Sequence, residues 1–174
     1  MNVLTLEGLF ALFPGADGPP SYELIRGDDM PQPYRDLLVH EHHMTVTVEA
    51  HHGGPVDVRV LAVRQDGDLY SRMILLVHQA TGRVVQFGIV RIDFSVTSPE
   101  VRDAIVAQGT PVGRVLIEHD VLRRIEPTAF LRITPGPALM AWFGLTEPAP
   151  LYGRLAVIHF HEQPAVELLE VVAP

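Results

Sequence analysis

No cysteine and no lysine occur in this 174-residue chain. The first absence removes any disulfide frame, thiolate nucleophile or thiolate metal site, and a cytoplasmic location is the expectation that fits it. The second makes every one of the 13 positive charges an arginine, set against 21 acidic residues for a net charge of −8. Nucleic-acid affinity comes mostly from clustered cations that neutralise phosphates, so no nucleic-acid partner is expected. Neither a Walker pattern nor Gly-x-Gly-x-x-Gly occurs, and there is no lysine to reach a phosphate. Gly-x-Ser-x-Gly is missing too, which takes away the strained elbow of a serine hydrolase. No apolar run approaches the ~20 residues that cross a bilayer, so no membrane association is expected. Met1 to Glu7 lacks a basic stretch ahead of its apolar residues and is not read as a secretory signal.

What is present describes a globular chain. Apolar residues make up 47% and charged residues 20%, sufficient for one domain with a sizeable core. Leu6, Leu9, Phe10 and Phe13 carry helical spacing within residues 3–13. The Pro- and Gly-rich segment 14–20 ends that helix, and Ser21–Leu24 is expected to form a short helical turn. Pro33 opens a further helix over residues 34–40. From Met44 the pattern alternates, predicting a strand at Met44–Glu49, a turn at His51–Gly54 and a strand at Val56–Ala62. Strands carrying Arg72 and spanning Val84–Phe94 follow after turns at Gly67 and Gly82. Ser98-Pro99-Glu100 caps a helix that runs to about Gln108, and a short helix is expected near Val115–His119. Strands at Leu122–Ile133, Tyr152–His161 and Ala165–Val172 complete the chain. The order of elements predicts an α+β fold with an antiparallel sheet.

Two ions stand out in this pattern. Arg72 opens the greasy run Met73–Val77, and Glu170 interrupts Leu168–Val172. An unpartnered charge in such a strand costs several kcal/mol, on the order of one ion's desolvation. Facing one cavity, the two would offer a carboxylate clamp and a hydroxyl acceptor for a small anionic, hydroxylated ligand. Each alone has a plainer reading: Arg72 as a member of a structural ion pair, Glu170 as an edge-strand solubility residue. Glu167 lies on the opposite face of a regular strand, and a bulge would exchange its role with that of Glu170. Arg123 and Arg124 add positive charge nearby, with a solvated strand edge as the simpler reading. His40, His42, His43, His51 and His52 lack metal-ligand spacing and are read as solvated or helix-end histidines. Neither metal nor cofactor is expected.

At these residues the chain resembles the chorismate–pyruvate lyase family, over residues 34–173. His43-Met44-Thr45 resembles its Met-Thr segment, and Ser71-Arg72-Met73-Ile74-Leu75-Leu76 its Arg-x-Ile-Leu-Leu strand. Thr110-Pro111-Val112-Gly113-Arg114 resembles its Pro-Leu-Gly motif, with Val112 in place of the usual leucine. Leu151-Tyr152-Gly153-Arg154 resembles its Leu-aromatic-Gly-Arg start, and Gln163-Pro164 with Glu170 its closing motif.

The resemblance implies a six-stranded antiparallel sheet in a domain spanning residues 34–174, with residues 1–33 as an extension. It also implies an enclosed cavity with room for a six-membered ring, and cleavage of chorismate to 4-hydroxybenzoate and pyruvate without a cofactor. Arg72 and Glu170 would be the catalytic pair, binding the carboxylate and the hydroxyl end respectively. The backbone of Met44 and Val112 would contact the substrate. Ligand-sensing domains of some bacterial transcription regulators share this fold, so binding of a small aromatic acid without turnover is the alternative. Such regulators carry a separate helix-turn-helix domain, for which the 33 residues ahead of the matched region are expected to be too few. An interaction domain with an occluded core is the third reading.

Overall fold

Alternation along the strands sorts the side chains onto two faces, and helices cover both. The computed structural model describes residues 4–15 and 18–173. Met1–Val3, together with Ala16 and Asp17 of the expected loop, lie outside the described residues. Among the described residues seven strands are present: β1 (Ser21–Ile25), β2 (Val56–Asp66), β3 (Leu69–His78), β4 (Val84–Asp93), β5 (Arg123–Thr134), β6 (Leu151–Phe160) and β7 (Gln163–Val172). They form one sheet in the order β1-β5-β6-β7-β4-β3-β2, with every neighbouring pair antiparallel. Gly67 and Gly82 close the first two hairpins at φ +58° and +68°, conformations that suit glycine.

On one face, α1 (Leu6–Phe10) and α6 (Pro137–Phe143) pack against Met73, Leu75, Phe87, Ile89, Leu169 and Val171. On the other lie α2 (Tyr34–Leu38), α3 (Met44–His52), α4 (Pro99–Val106) and α5 (Val112–Glu118). That second face presents Ile74, Leu76, Val90, Leu168 and Val172 to the helices, in two further core clusters. Coverage on both sides explains why β3 and β7 read as nearly continuous apolar runs. Each fully buried Leu or Phe contributes about 1.5–3 kcal/mol to folding.

The α+β architecture and the antiparallel sheet are as expected. Three local expectations are corrected. Residues 44–49 are helical: Met44, Thr45 and Val48 are buried while Val46 is exposed, an i, i+1, i+4 pattern. Gly53, at φ +74°, then caps the C-terminus of α3. Ser21–Leu24 belongs to β1, which pairs with β5 from Ser21↔Thr134 to Ile25↔Phe130, so the sheet has seven strands where six were implied. Between the expected strands at Leu122–Ile133 and Tyr152–His161, residues 137–143 form α6, which begins at Pro137. The Ser98 cap is present, its hydroxyl accepting from the Val101 N–H. α5 begins at Val112, three residues earlier than the predicted helix.

Candidate functional site

Strand register places the site before any side chain is considered. Arg72 on β3 sits opposite Val90, Ile74 opposite Gly88, Gly88 opposite Glu170, and Glu170 opposite Arg154. Above this patch the N-terminal ends of α3 and α5 converge. The space between holds a cavity of about 60 Å³, lined among others by Arg72, Gln86, Gly88 and Glu170 from the sheet and by Met44 and Val112 from the helices. All four residues singled out from the sequence therefore border one cavity, although 98 positions part Arg72 from Glu170 along the chain (170 − 72).

Arg72 is 1% exposed. Its Nη1 donates to the Ile105 carbonyl at 3.4 Å and its Nη2 to the Thr110 carbonyl at 3.1 Å. Nε is buried without a partner, and no carboxylate pairs with the guanidinium among the described residues. Burial lowers its pKa from the usual arginine range, partly offset by the neighbouring Tyr70 hydroxyl. That hydroxyl is itself buried outside hydrogen-bonding geometry. A sequestered cation with unused donors attracts an anion strongly, because few water molecules compete for it.

Glu170 is differently placed. Its Oε2 accepts from Arg154 Nε at 2.6 Å, and Arg154 also donates to the carbonyls of Leu38, His40 and His42. Arg154, 1% exposed, is thus fully engaged by the chain leading into α3. It fixes the Glu170 carboxylate and leaves Oε1 for the cavity. Glu167 faces away and accepts from Arg91 Nε at 2.6 Å. The β4–β7 register runs without a shift, so no bulge exchanges the two acids.

His43 borders both this cavity and an outer groove lined by Glu41, His42, Asp120, Arg123 and Arg124. Burial, then the charges of Arg123 and Arg154, push its pKa down to about 4, so at neutral pH the ring is uncharged and accepts from Arg123 Nε. Arg123 is further held by the carbonyls of Leu116 and Val121. Arg124 lies at the exposed strand edge, paired with Glu126 and Glu162. Of the remaining histidines, His40 borders the Arg154 network, while His51 and His52 end α3. Among the described residues, no group of three or more His, Asp or Glu is arranged to hold a metal ion. Among the described residues, no helix is long and apolar enough to cross a membrane.

Sequence reasoning missed two polar residues here. Arg154 belongs to the Leu151–Arg154 motif, and an arginine among the β6 apolar residues carries the same signal as Arg72. Gln86, 5% exposed, interrupts Val84-Val85-Gln86-Phe87, and its Oε1 is buried without a partner. An apolar cavity of about 150 Å³ takes benzene, and the space here, about 60 Å³, is smaller than that.

No protein-family model matches the sequence, and no curated protein is significantly similar to it. Solved structures do share the fold. PhnF from Mycobacterium smegmatis aligns with a TM-score of 0.58 at 11% identity, over 77% of this chain and 64% of that one, so this chain spans under two thirds of PhnF. The effector domain of the same protein gives a TM-score of 0.52 at 12% identity, covering 75% of this chain and 87% of that one. The ligand-binding domain of a protein described as a GntR-family transcriptional regulator, from Bordetella bronchiseptica, gives 0.52 at 12% identity, covering 68% and 85%. Identities this low show the fold alone. That fold is compatible with the chorismate lyase-like architecture, and the two matched domains are described by ligand or effector binding, not by catalysis.

Proposed function

We propose that this chain is a small-molecule sensing domain that takes an organic anion into the cavity above β3, β4 and β7. Arg72 anchors the anion, Glu170 accepts a hydrogen bond from the ligand's polar end, and the backbone at Met44 and Val112 lines the contact. The observation that carries this reading is Arg72 itself: a buried guanidinium at a cavity wall, with unused donors and no carboxylate partner among the described residues. Fixing such a charge in the core costs several kcal/mol, and an anionic ligand returns part of that cost on binding. The ligand-binding and effector domains that share the fold support sensing over turnover. Neither metal nor cofactor enters the reading.

The lyase reading draws support from Arg72 and Glu170 sharing one cavity. In it, orientation beside Arg72 would stabilise the departing enolpyruvate, a contribution of about 3 kcal/mol for one preorganised donor. The size of the cavity weighs against chorismate. One pair of experiments separates the two. Calorimetric titration with a panel of carboxylates should show binding that Arg72→Met removes, and a purified protein that binds none of them contradicts the sensing reading. Incubation with chorismate should yield no 4-hydroxybenzoate or pyruvate, and turnover that disappears in Arg72→Met would install the lyase reading instead.

A further inference from the structure

We infer that the ligand is a short aliphatic hydroxycarboxylate, of the size of glycolate or lactate, and that Gln86 is the residue that reads its hydroxyl group. The inference rests on the anion-binding reading of the cavity and goes beyond it by fixing charge, size and polar pattern.

Size comes first. A water-sized atom needs roughly 10–15 Å³ of such space, so 60 Å³ accommodates on the order of four to six heavy atoms. Aryl acids and sugar phosphates exceed that.

Charge comes second. The buried ions at the site are Arg72, Arg154 and Glu170, a sum of one positive charge. His40 and His43 add none near neutral pH, both being held at about 4 chiefly by burial. Arg123 stands on the groove side of His43, half-buried and screened by solvent, and Arg114 is paired with Glu49. One carboxylate therefore balances the site. A phosphate dianion overshoots, and a zwitterionic amino acid leaves the excess charge in place.

The polar pattern comes third. Gln86 is 5% exposed, borders the cavity, and keeps Oε1 unpartnered while Nε2 lies toward Gly88 on the cavity floor. The Nε2 donor gains a hydrogen bond from a ligand oxygen above Gly88, whereas Oε1, closed even to a water-sized atom, does not reach the ligand. A hydroxyl accepts from this donor and gives its own proton to Glu170. Glu170 accepts but cannot donate when ionised, so it favours the same group over a ketone or an ether. Ile74, Leu76, Val90 and Leu168 complete the wall and suit a methyl or methylene.

The test is a calorimetric comparison of lactate and glycolate with their deoxy analogues propionate and acetate, alongside glycine, inorganic phosphate and 4-hydroxybenzoate. The hydroxy acids should bind at least tenfold more tightly than the deoxy acids and than the other three probes. In Gln86→Leu, the preference for lactate over propionate should collapse to about onefold, with circular dichroism and cooperative urea unfolding showing that the variant is folded. Equal affinities for lactate and propionate in the natural protein overturn the inference and leave the anion reading standing. So does tighter binding of phosphate or 4-hydroxybenzoate. Binding of no anion overturns both. The natural-protein comparison decides even where the Gln86 variant fails to fold.

Discussion

Arg154 Nε and Glu170 Oε2 meet at 2.6 Å between adjacent central strands, with the arginine 1% exposed. Removing one partner of a buried pair strands the other's charge, at about 3–5 kcal/mol. Arg154→Met should therefore cost about that much in urea denaturation. It also strips donors from the carbonyls of Leu38, His40 and His42, loosening the entry into α3. Adding Glu170→Leu should recover a substantial part of the loss. A double variant whose destabilisation equals the sum of the two single ones would contradict the coupling.

Arg72 should behave in the opposite sense. Having no carboxylate partner, it weakens the ligand-free fold, and Arg72→Met exchanges an uncompensated ion for an apolar chain of similar length. The unfolding free energy of the ligand-free protein, from urea denaturation, should rise by about 1 kcal/mol or more, as when buried ions give way to hydrophobic residues. Stabilisation by any bound carboxylate should vanish in the same variant. A fall in stability without ligand would mean that the carbonyl contacts to Ile105 and Thr110 outweigh desolvation.

These two arginines also mark how far the sequence carries. An ion inside a run such as Met73–Val77 is visible in one dimension because its cost is local, and Arg72 and Glu170 were found that way. The consequence of Arg154 is not local, since its partners sit 16 to 116 positions away. α3 was misread because Met44-Thr45-Val46-Thr47-Val48 satisfies a period of two as readily as a helical period. Only burial of Thr45 with Val48, against the exposed Val46, decides the matter. β1 offered no apolar alternation because it is an exposed edge, held through its backbone to β5. Cavity size follows from how closely α3 and α5 approach the sheet, and no residue pattern encodes that spacing.

Stability should decline on mild acidification. His43 and His40 titrate at about 4 in the folded chain against 6.5 when exposed, because burial and the Arg154 charge oppose protonation. Between these values the unfolded chain binds more protons, so acid favours unfolding. Full stability holds above pH 6.5 and is lost progressively down to about 4, at a slope of at most about 1.4 kcal/mol per pH unit for each ring. The share of the half-buried His40 is smaller because solvent screens it. Urea midpoints from pH 7.5 to 4.5 should show this slope, and His43→Gln should flatten it. An unchanged slope in that variant would remove His43 from the account.

Gly153 should tolerate no side chain. On β6 a Cβ there would stand 2.6 Å from the Glu170 carbonyl oxygen, which is backbone held within the central ladder and unable to yield. Gly153→Ala should therefore cost at least the roughly 1–3 kcal/mol of an overpacked core, and it should disturb the Arg154–Glu170 pair beside it. Thermal unfolding provides the measurement. A variant as stable as the natural chain would show that β6 and β7 separate more easily than their register implies.

Gly88 is the counterpart in which occupancy and stability come apart. It sits on the cavity floor between Ile74 and Glu170, and an added Cβ would meet the Leu169 oxygen at 3.2 Å, Ile74 Cδ1 at 3.5 Å and Gln86 Nε2 at 3.6 Å. Two of these contacts are ordinary and involve side chains free to shift, while the third, to a backbone oxygen, requires the strands to give by a few tenths of an ångström. Alanine also loses less backbone entropy than glycine on folding, a gain of about 0.5–1 kcal/mol that opposes the remaining strain. The unfolding free energy of Gly88→Ala should accordingly lie within about 1 kcal/mol of the natural protein. The new methyl group nevertheless takes up part of a space that measures only 60 Å³, in contact with the Gln86 amide. Carboxylate affinity should drop by tenfold or more, with the folded fraction unchanged. Undiminished binding in a folded Gly88→Ala protein would place the ligand somewhere other than the floor that Arg72, Gln86 and Glu170 surround.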